Sequence, residues 1–180
     1  MLALLVGGAR SGKSDLAVRL AMARGGPVTF IATAQALDEE MSARIAAHRA
    51  ARPVQWLTVE EPLQLQAALS SGGRARTVIL DCLTLWVANL LGSGASDADV
   101  LSRASDLAAS AADGDGLVLV VSNEVGAGIV PADPLTRRYR DLLGEVNVLF
   151  AGAAEEAFLV VAGRLLSLER PALASGRLLR

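Results

Sequence analysis

A single lysine occurs in this chain, Lys13, and it sits inside Gly7-Gly8-Ala9-Arg10-Ser11-Gly12-Lys13-Ser14. The segment fits the pattern G-x-x-x-x-G-K-[ST] at every fixed position. An apolar run, Leu2 to Val6, precedes it and reads as a short buried strand; Asp15 to Ala21 follows and reads as a helix. That strand–loop–helix context is the one in which the pattern folds as a phosphate-binding loop. Its glycines let backbone N–H groups turn toward phosphate oxygens, and the helix N-terminus adds partial positive charge. The pattern sets Lys13 at the β- and γ-phosphates and the Ser14 hydroxyl on Mg²⁺. The other sixteen basic residues are all arginines. A compact ammonium is therefore kept only where close phosphate contact asks for it.

The one histidine, His48, lies on the charged stretch Asp38 to Pro53. Helical spacing sets Glu40, Arg44 and His48 on one stripe, with Arg52 a turn further on, and Pro53 ends the helix. A histidine flanked by Arg44, Arg49 and Arg52 is poorly placed to bind a metal cation. An imidazole nitrogen beside an arginine cluster suits attack on phosphorus, the arginines holding the oxygens of the transferring group. The residues alone favour a solvated surface histidine, which is the commoner role of a lone histidine on a helix face.

Other polar groups stand in apolar surroundings. Asp81 ends the run Val78-Ile79-Leu80 and suits a second Mg²⁺ group reached through water, or the N-cap of a helix over 83–91. Cys82, the only cysteine, reads as a small buried hydrophobe and leaves no partner for an intramolecular disulfide. Ser122 to Pro131, with Gly126 and Gly128, follows another apolar run and reads as a loop at the ligand-binding edge. Arg137, Arg138 and Arg140 open the last long helix, either toward phosphates or as a solvated face.

Positioning these groups requires alternating strands and helices. Strands are expected at 2–6, 28–31, 54–57, 77–80, 117–121 and 157–161. Helices are expected at 13–24, 38–51, 62–70, 83–91, 97–112 and 135–154. Several strands are apolar throughout, as parallel strands covered on both faces are. The expected fold is an α/β three-layer sandwich of the P-loop type, a mostly parallel sheet with helices on both faces. Ligands then bind beyond the carboxyl ends of the strands, where 7–14 lies. Segments 92–96 and 113–116 are expected as surface turns, and 171–180 carries no clear signal.

At 180 residues the length prior gives one domain with a full core. A net charge of −2 provides no strong field toward nucleic acid or anionic membrane. No apolar run of about eighteen residues spans a bilayer. The N-terminal run lacks a basic region and a cleavage site, so no signal peptide and a cytoplasmic location are expected.

Read together, the segments resemble the bifunctional adenosylcobinamide kinase / adenosylcobinamide-phosphate guanylyltransferase family of cobalamin biosynthesis. The resemblance rests on 7–14, on I-A-T-A-Q at 31–35, on D-E-E-M-S-A-R-I-A-A-H-R-A-A-R-P at 38–53 and on W-L-T-V-E-E-P at 56–62. It continues through D-C-L-T-L-W-V-A-N-L-L at 81–91, S-N-E-V-G-A-G-I-V-P at 122–131 and R-R-Y-R-D-L-L-G-E-V-N at 137–147, and runs to about residue 168. Two departures stand out: Val148 follows Asn147 where glutamine is usual, and Ala47 stands where several relatives have a second histidine. The resemblance implies that His48 attacks GTP and carries GMP as a phosphoramidate. It implies a nucleotide held by the loop 7–14, by Thr33, Ala34 and Gln35, by Arg49, Ala50, Ala51 and Arg52, and by Glu60 and Asp81. It further implies GTP, ATP, adenosylcobinamide and adenosylcobinamide phosphate as substrates, and a homotrimer with sites between subunits. Two other readings stay open: a plain P-loop small-molecule kinase, and a nucleotide switch or ATPase subunit. The switch is disfavoured because no N-K-x-D guanine-reading motif occurs.

Overall fold

A computed structural model describes residues 1–71 and 77–171. The chain runs β1 (Leu2–Gly7), α1 (Lys13–Arg24), β2 (Val28–Ala32), α2 (Glu39–Ala50), β3 (Leu57–Glu60), α3 (Leu65–Ser71) and β4 (Thr77–Asp81). It continues α4 (Leu83–Gly92), α5 (Asp97–Ala112), β5 (Leu117–Asn123), α6 (Pro134–Ala153), β6 (Glu156–Val161) and β7 (Arg164–Ser167). The strands form one sheet in the order β3-β2-β4-β5-β1-β6-β7. All neighbours are parallel except the β6–β7 hairpin. The last residues of the expected tail, 172–180, lie outside the described residues.

Period-two alternation sends successive strand residues to opposite faces. Leu2, Leu4, Val118 and Val120 join one core with Trp86, Val100, Leu107, Val146 and Phe150 of α4, α5 and α6. Ala3, Leu5, Leu119 and Val121 join the other with Leu16, Ala17 and Ala21 of α1. Strands buried on both faces must be apolar throughout, which is why β1, β4 and β5 read so plainly in the sequence.

Two expected elements move, and one strand is added. The strand foreseen at 54–57 lies at Leu57–Glu60, because Pro53 to Trp56 form a turn closed by Trp56 N–H on the Pro53 carbonyl (3.1 Å). Only from Leu57 does the chain reach register with β2, and this brings Glu60 to the strand's end. The helix foreseen at 62–70 starts at Leu65. The Glu61 carboxylate accepts from the N–H groups of Leu63 (2.9 Å) and Gln64 (2.8 Å), holding a turn ahead of it. β7 was not foreseen, since all four of its residues are exposed and carry no alternation.

Side chains tie the carboxyl edge of the sheet to the helices behind it. The buried Ser122 hydroxyl donates to Asn147 Oδ1 (2.5 Å), and Asn147 Nδ2 donates to the Asn123 carbonyl (3.0 Å). Asn123 N–H donates to Thr84 Oγ1 (2.8 Å), and the Tyr139 hydroxyl donates to the Thr84 carbonyl (3.2 Å). Burial, then the nearby Cys82, pushes the Tyr139 phenol up to about 12.

Tyr139 is the only tyrosine, so its titration is readable alone. The 295 nm phenolate band should stay absent from the folded protein through pH 10–11 and emerge near 12, against about 10 in denaturant. Because the folded state holds this proton more tightly, stability should be undiminished below about pH 10 and fall as pH rises toward 12.

Candidate active site

The loop between β1 and α1 wraps its own lysine. Lys13 Nζ donates to the carbonyls of Gly7 (2.9 Å) and Gly8 (2.6 Å) and to Ser11 Oγ (3.3 Å). Lys13 is only 6% exposed. Burial lowers its pKa, while Cys82 and Asp81 act to raise it. Gly12 holds a left-handed backbone (φ 94°) as the N-cap of α1, a conformation that favours glycine.

Asp81 stands at the end of β4, two strands from β1. Burial pushes its carboxyl above the usual carboxylate range. The Ser14 side chain, hydrogen-bonded to it, and the charges of His48, Arg52 and Lys13 pull the other way. The N-cap of α4 is Cys82, with no side-chain cap bond, so Asp81 is left to face the cleft. Cys82 packs partly buried on the second core. Its thiol is raised to about 11 by burial, then by Asp81, which leaves it a poor nucleophile at neutral pH.

Helix α2 forms the opposite wall. Asp38 caps it, accepting from Met41 N–H (2.7 Å), and Ala51 ends it ahead of Pro53. Its cleft-facing residues are Met41, Arg44, Ile45, His48 and Arg49, followed by Arg52. These positions recur at three- and four-residue steps and so share one face. Glu40, expected on the His48 stripe, does not line the cleft; Met41 and Ile45 do. Sequence reasoning missed both, though the same spacing counted from Arg44 and His48 marks them.

Arg52 is the best-anchored of the arginines. Its guanidinium carbon lies 3.4 Å from the centroid of the Phe30 ring on β2, a cation–π stack. Burial lowers its pKa; Asp81 opposes, Arg49 adds to the lowering and Glu60 opposes. Arg49 pairs with Glu60 at 3.4 Å, both well exposed, a contact of small energetic weight.

One cleft of about 660 Å³ gathers these groups, a volume that suits a nucleotide-sized ligand. Ala9, Arg10, Ser11, Gly12, Lys13 and Ser14 form its floor; Ala34, His48, Arg49, Arg52, Glu60 and Asp81 also face it. Gly7, Gly8, Thr33, Gln35, Ala50 and Ala51 do not line it. Thr33 is fully buried. Its hydroxyl donates to the Cys82 carbonyl (2.8 Å) and accepts from Cys82 N–H (2.8 Å). Asn89 Nδ2 holds the Thr33 carbonyl (2.9 Å). Thr33 thus fixes the turn that carries Asp81. Thr84 and Asn123 also line the cleft.

The arginines of α6 go elsewhere. Arg137 donates to the Pro131 (2.9 Å) and Ala132 (2.6 Å) carbonyls, Arg138 pairs with Asp97 and Arg140 with Asp141. None lines this cleft.

Sheet order and loop define the class: a three-layer α/β protein of the P-loop type. A KaiC-like protein from Pyrococcus horikoshii OT3 shares the fold, with a TM-score of 0.53 at 12% identity over 88% of this chain and 69% of that one. A family model described as cobinamide kinase / cobinamide phosphate guanyltransferase matches residues 3–168. The bifunctional adenosylcobalamin biosynthesis protein CobP of Pseudomonas aeruginosa is 48% identical over 162 residues, spanning 89% of this chain and 92% of its own. The corresponding CobU of Escherichia coli is 40% identical over 176 residues, spanning 91% and 97%. The chain belongs to the cobinamide kinase / cobinamide phosphate guanyltransferase family and is an enzyme. Among the described residues, no helix is long and apolar enough to cross a membrane.

Removing the Thr33 hydroxyl strands the two Cys82 backbone groups it serves. Thr33→Val should lower stability by about 1–3 kcal/mol, read as a lower urea midpoint at unchanged slope. Thr33→Ser should keep most of it.

Proposed function

We propose that this enzyme runs two phosphorus-transfer reactions on a corrinoid side chain, both in the one cleft. The observation that carries the reading is the meeting of Lys13 and Ser14 with the chain's single histidine and Arg52 around that cleft. In the first reaction, the terminal hydroxyl of the adenosylcobinamide arm attacks the γ-phosphorus of ATP or GTP. A new O–P bond forms, the bond to the β-phosphate oxygen breaks, the nucleoside diphosphate leaves and the hydroxyl proton passes to solvent. Backbone N–H groups of 9–14 and the Lys13 ammonium hold the triphosphate in line and offset charge on the transferring group.

In the second reaction, the His48 imidazole attacks the α-phosphorus of GTP. The N–P bond forms as the bond to the β-phosphate oxygen breaks, and pyrophosphate leaves. A phosphate oxygen of adenosylcobinamide phosphate then attacks the same phosphorus, the N–P bond breaks and adenosylcobinamide-GDP is released. Arg49 and Arg52 bind the α-phosphate oxygens, and Arg52, stacked on Phe30, is the better-oriented donor. Carrying GMP on the protein makes each step an in-line displacement at one phosphorus.

The donor set also fits Mg²⁺. The Ser14 hydroxyl and the Asp81 carboxylate are hard oxygen groups hydrogen-bonded to each other at the cleft floor, and Mg²⁺ takes few protein ligands beside phosphate and water. Among the described residues, no cluster of three or more His, Cys, Asp or Glu offers a self-contained metal cage. When bound, the ion supplies charge neutralisation for the phosphates.

Incubation with Mg²⁺ and α-³²P-GTP, then denaturation, tests the proposal. Acid-labile, base-stable label is expected, absent from His48→Ala, which should keep kinase turnover. A folded parent that takes no label refutes the guanylyl-histidine and leaves a P-loop kinase. Lys13→Ala should slow both reactions by roughly 10²–10³-fold; full activity in that variant overturns the role of the loop.

A further inference from the structure

β6 pairs with β1 from Ala3↔Glu156 to Val6↔Leu159. Beyond that register the two chains part: β1 enters the phosphate loop, while β6 continues through Val160 and Val161 and turns back as β7. The turn is two residues long, Ala162 and Gly163, between the paired Val161 and Arg164. Both have left-handed backbones, φ 50° and 73°, as in a type I′ hairpin turn. The hairpin therefore stands beside the loop 7–14, at the same edge of the sheet.

It touches that loop at three points, all backbone. Gly163 N–H donates to the Ser11 carbonyl at 2.8 Å. The Gly163 Cα lies 3.3 Å from where a Cβ on Gly12 would stand. A Cβ on Gly7 would lie 2.3 Å from the Val160 carbonyl oxygen. Glycine at 7 and 12 thus answers to the hairpin as well as to a ligand.

The hydrogen bond has a directional consequence. In a planar trans peptide the C=O and the following N–H point to opposite sides. Holding the Ser11 carbonyl toward the hairpin turns the Gly12 N–H away from it. Lys13 Nζ, bonded to the Gly7 and Gly8 carbonyls, fixes the loop from within; the hairpin fixes it from outside.

We propose that the β6–β7 turn is the outer brace of the phosphate loop, with Gly163 a positioning residue that acts through the Ser11–Gly12 peptide. This rests on the reading that the loop holds a triphosphate. β7 itself adds little to the core: Leu165 and Leu166 are 43% and 61% exposed. The hairpin's contribution is therefore concentrated at the loop, and disturbing its turn should cost phosphate binding more than stability.

The test compares Gly163→Val and Gly163→Asn. A Cβ at 163 meets nothing within 4 Å, so space is not the issue; a β-branched residue resists a positive φ, whereas asparagine tolerates it. Inorganic tripolyphosphate and GTP are titrated by calorimetry beside thermal unfolding, with Lys13→Ala as reference. Gly163→Val should weaken both ligands by about tenfold, equally because the effect lies in the phosphate cradle, while its melting temperature stays within a few degrees. Gly163→Asn should restore binding to within about threefold. Parent-like binding by Gly163→Val, in a parent whose affinity falls on Lys13→Ala, overturns the brace and leaves the loop reading intact. A parent that binds neither ligand overturns both. Should Gly163→Val unfold, glycolate at 163, introduced by ligating a synthetic C-terminal segment, removes the N–H alone. A five- to tenfold weaker tripolyphosphate affinity then supports the brace, and an unchanged affinity refutes it.

Discussion

A lysine and a carboxylate share the floor of the cleft, and burial works against the charged form of each. Lys13 is nearly buried and its pKa is lowered; Asp81 is half-buried where it faces the cleft, and burial raises its pKa. Neighbours draw each back toward its charged form: Cys82 and then Asp81 act on Lys13, and the Ser14 hydrogen bond, His48, Arg52 and then Lys13 act on Asp81. A buried charge without a partner costs several kcal/mol, and a paired one in good geometry costs far less. The surrounding architecture keeps these groups within mutual reach. β1 and β4 are separated only by β5, so the loop after β1 and the carboxylate ending β4 emerge side by side. Parallel pairing aligns their carboxyl ends on one edge.

Precision at that edge comes largely from groups behind the cleft wall. Thr33 is wholly buried, yet it holds both backbone groups of Cys82 and, through its own N–H, the Asp81 carbonyl (3.1 Å). Asn89 in turn holds Thr33. On the other side of β5, Asn147 braces Ser122 and Asn123, and Thr84 links Asn123 to Tyr139. These chains run from helix to strand end to cleft wall. Side chains fixed in this way lose little freedom when a ligand arrives, which favours a preformed site.

What could be read from the sequence was whatever burial had written into it. The doubly covered strands are apolar without interruption, and α2 announces itself through Asp38 before it and Pro53 after it. The exposed edges were harder. β3 is half-exposed, and the turn at Pro53 to Trp56 displaces it from the more apolar stretch 54–57. β7 has no buried residue, and Ala162-Gly163 lacks the Asn-Gly or Asp-Gly signature of its turn type. In the site, Lys13, Ser14, His48, Arg52 and Asp81 were legible as polar residues in telling contexts, and they meet in one cleft. Thr33 illustrates the limit: a motif names a position without saying whether the side chain faces the ligand or the protein. The helix-opening arginines at 137, 138 and 140 were ambiguous by charge alone. Carbonyls and carboxylates near them, invisible in one dimension, settle where they go.

The cleft's size bears on how two reactions share it. About 660 Å³ suits a nucleotide. On the proposed mechanism the corrinoid need present only its arm to the cleft, because each reaction acts on the end of that arm. The two walls then divide the triphosphate between them. The floor, with Lys13, addresses the terminal phosphates, while α2, with His48, comes from the opposite side. No residue of α2 is buried, so this wall is tied to the sheet by Arg52 on Phe30 rather than by a core. On the proposed mechanism His48 is thus carried by a wall tied to the sheet through side chains rather than through a core.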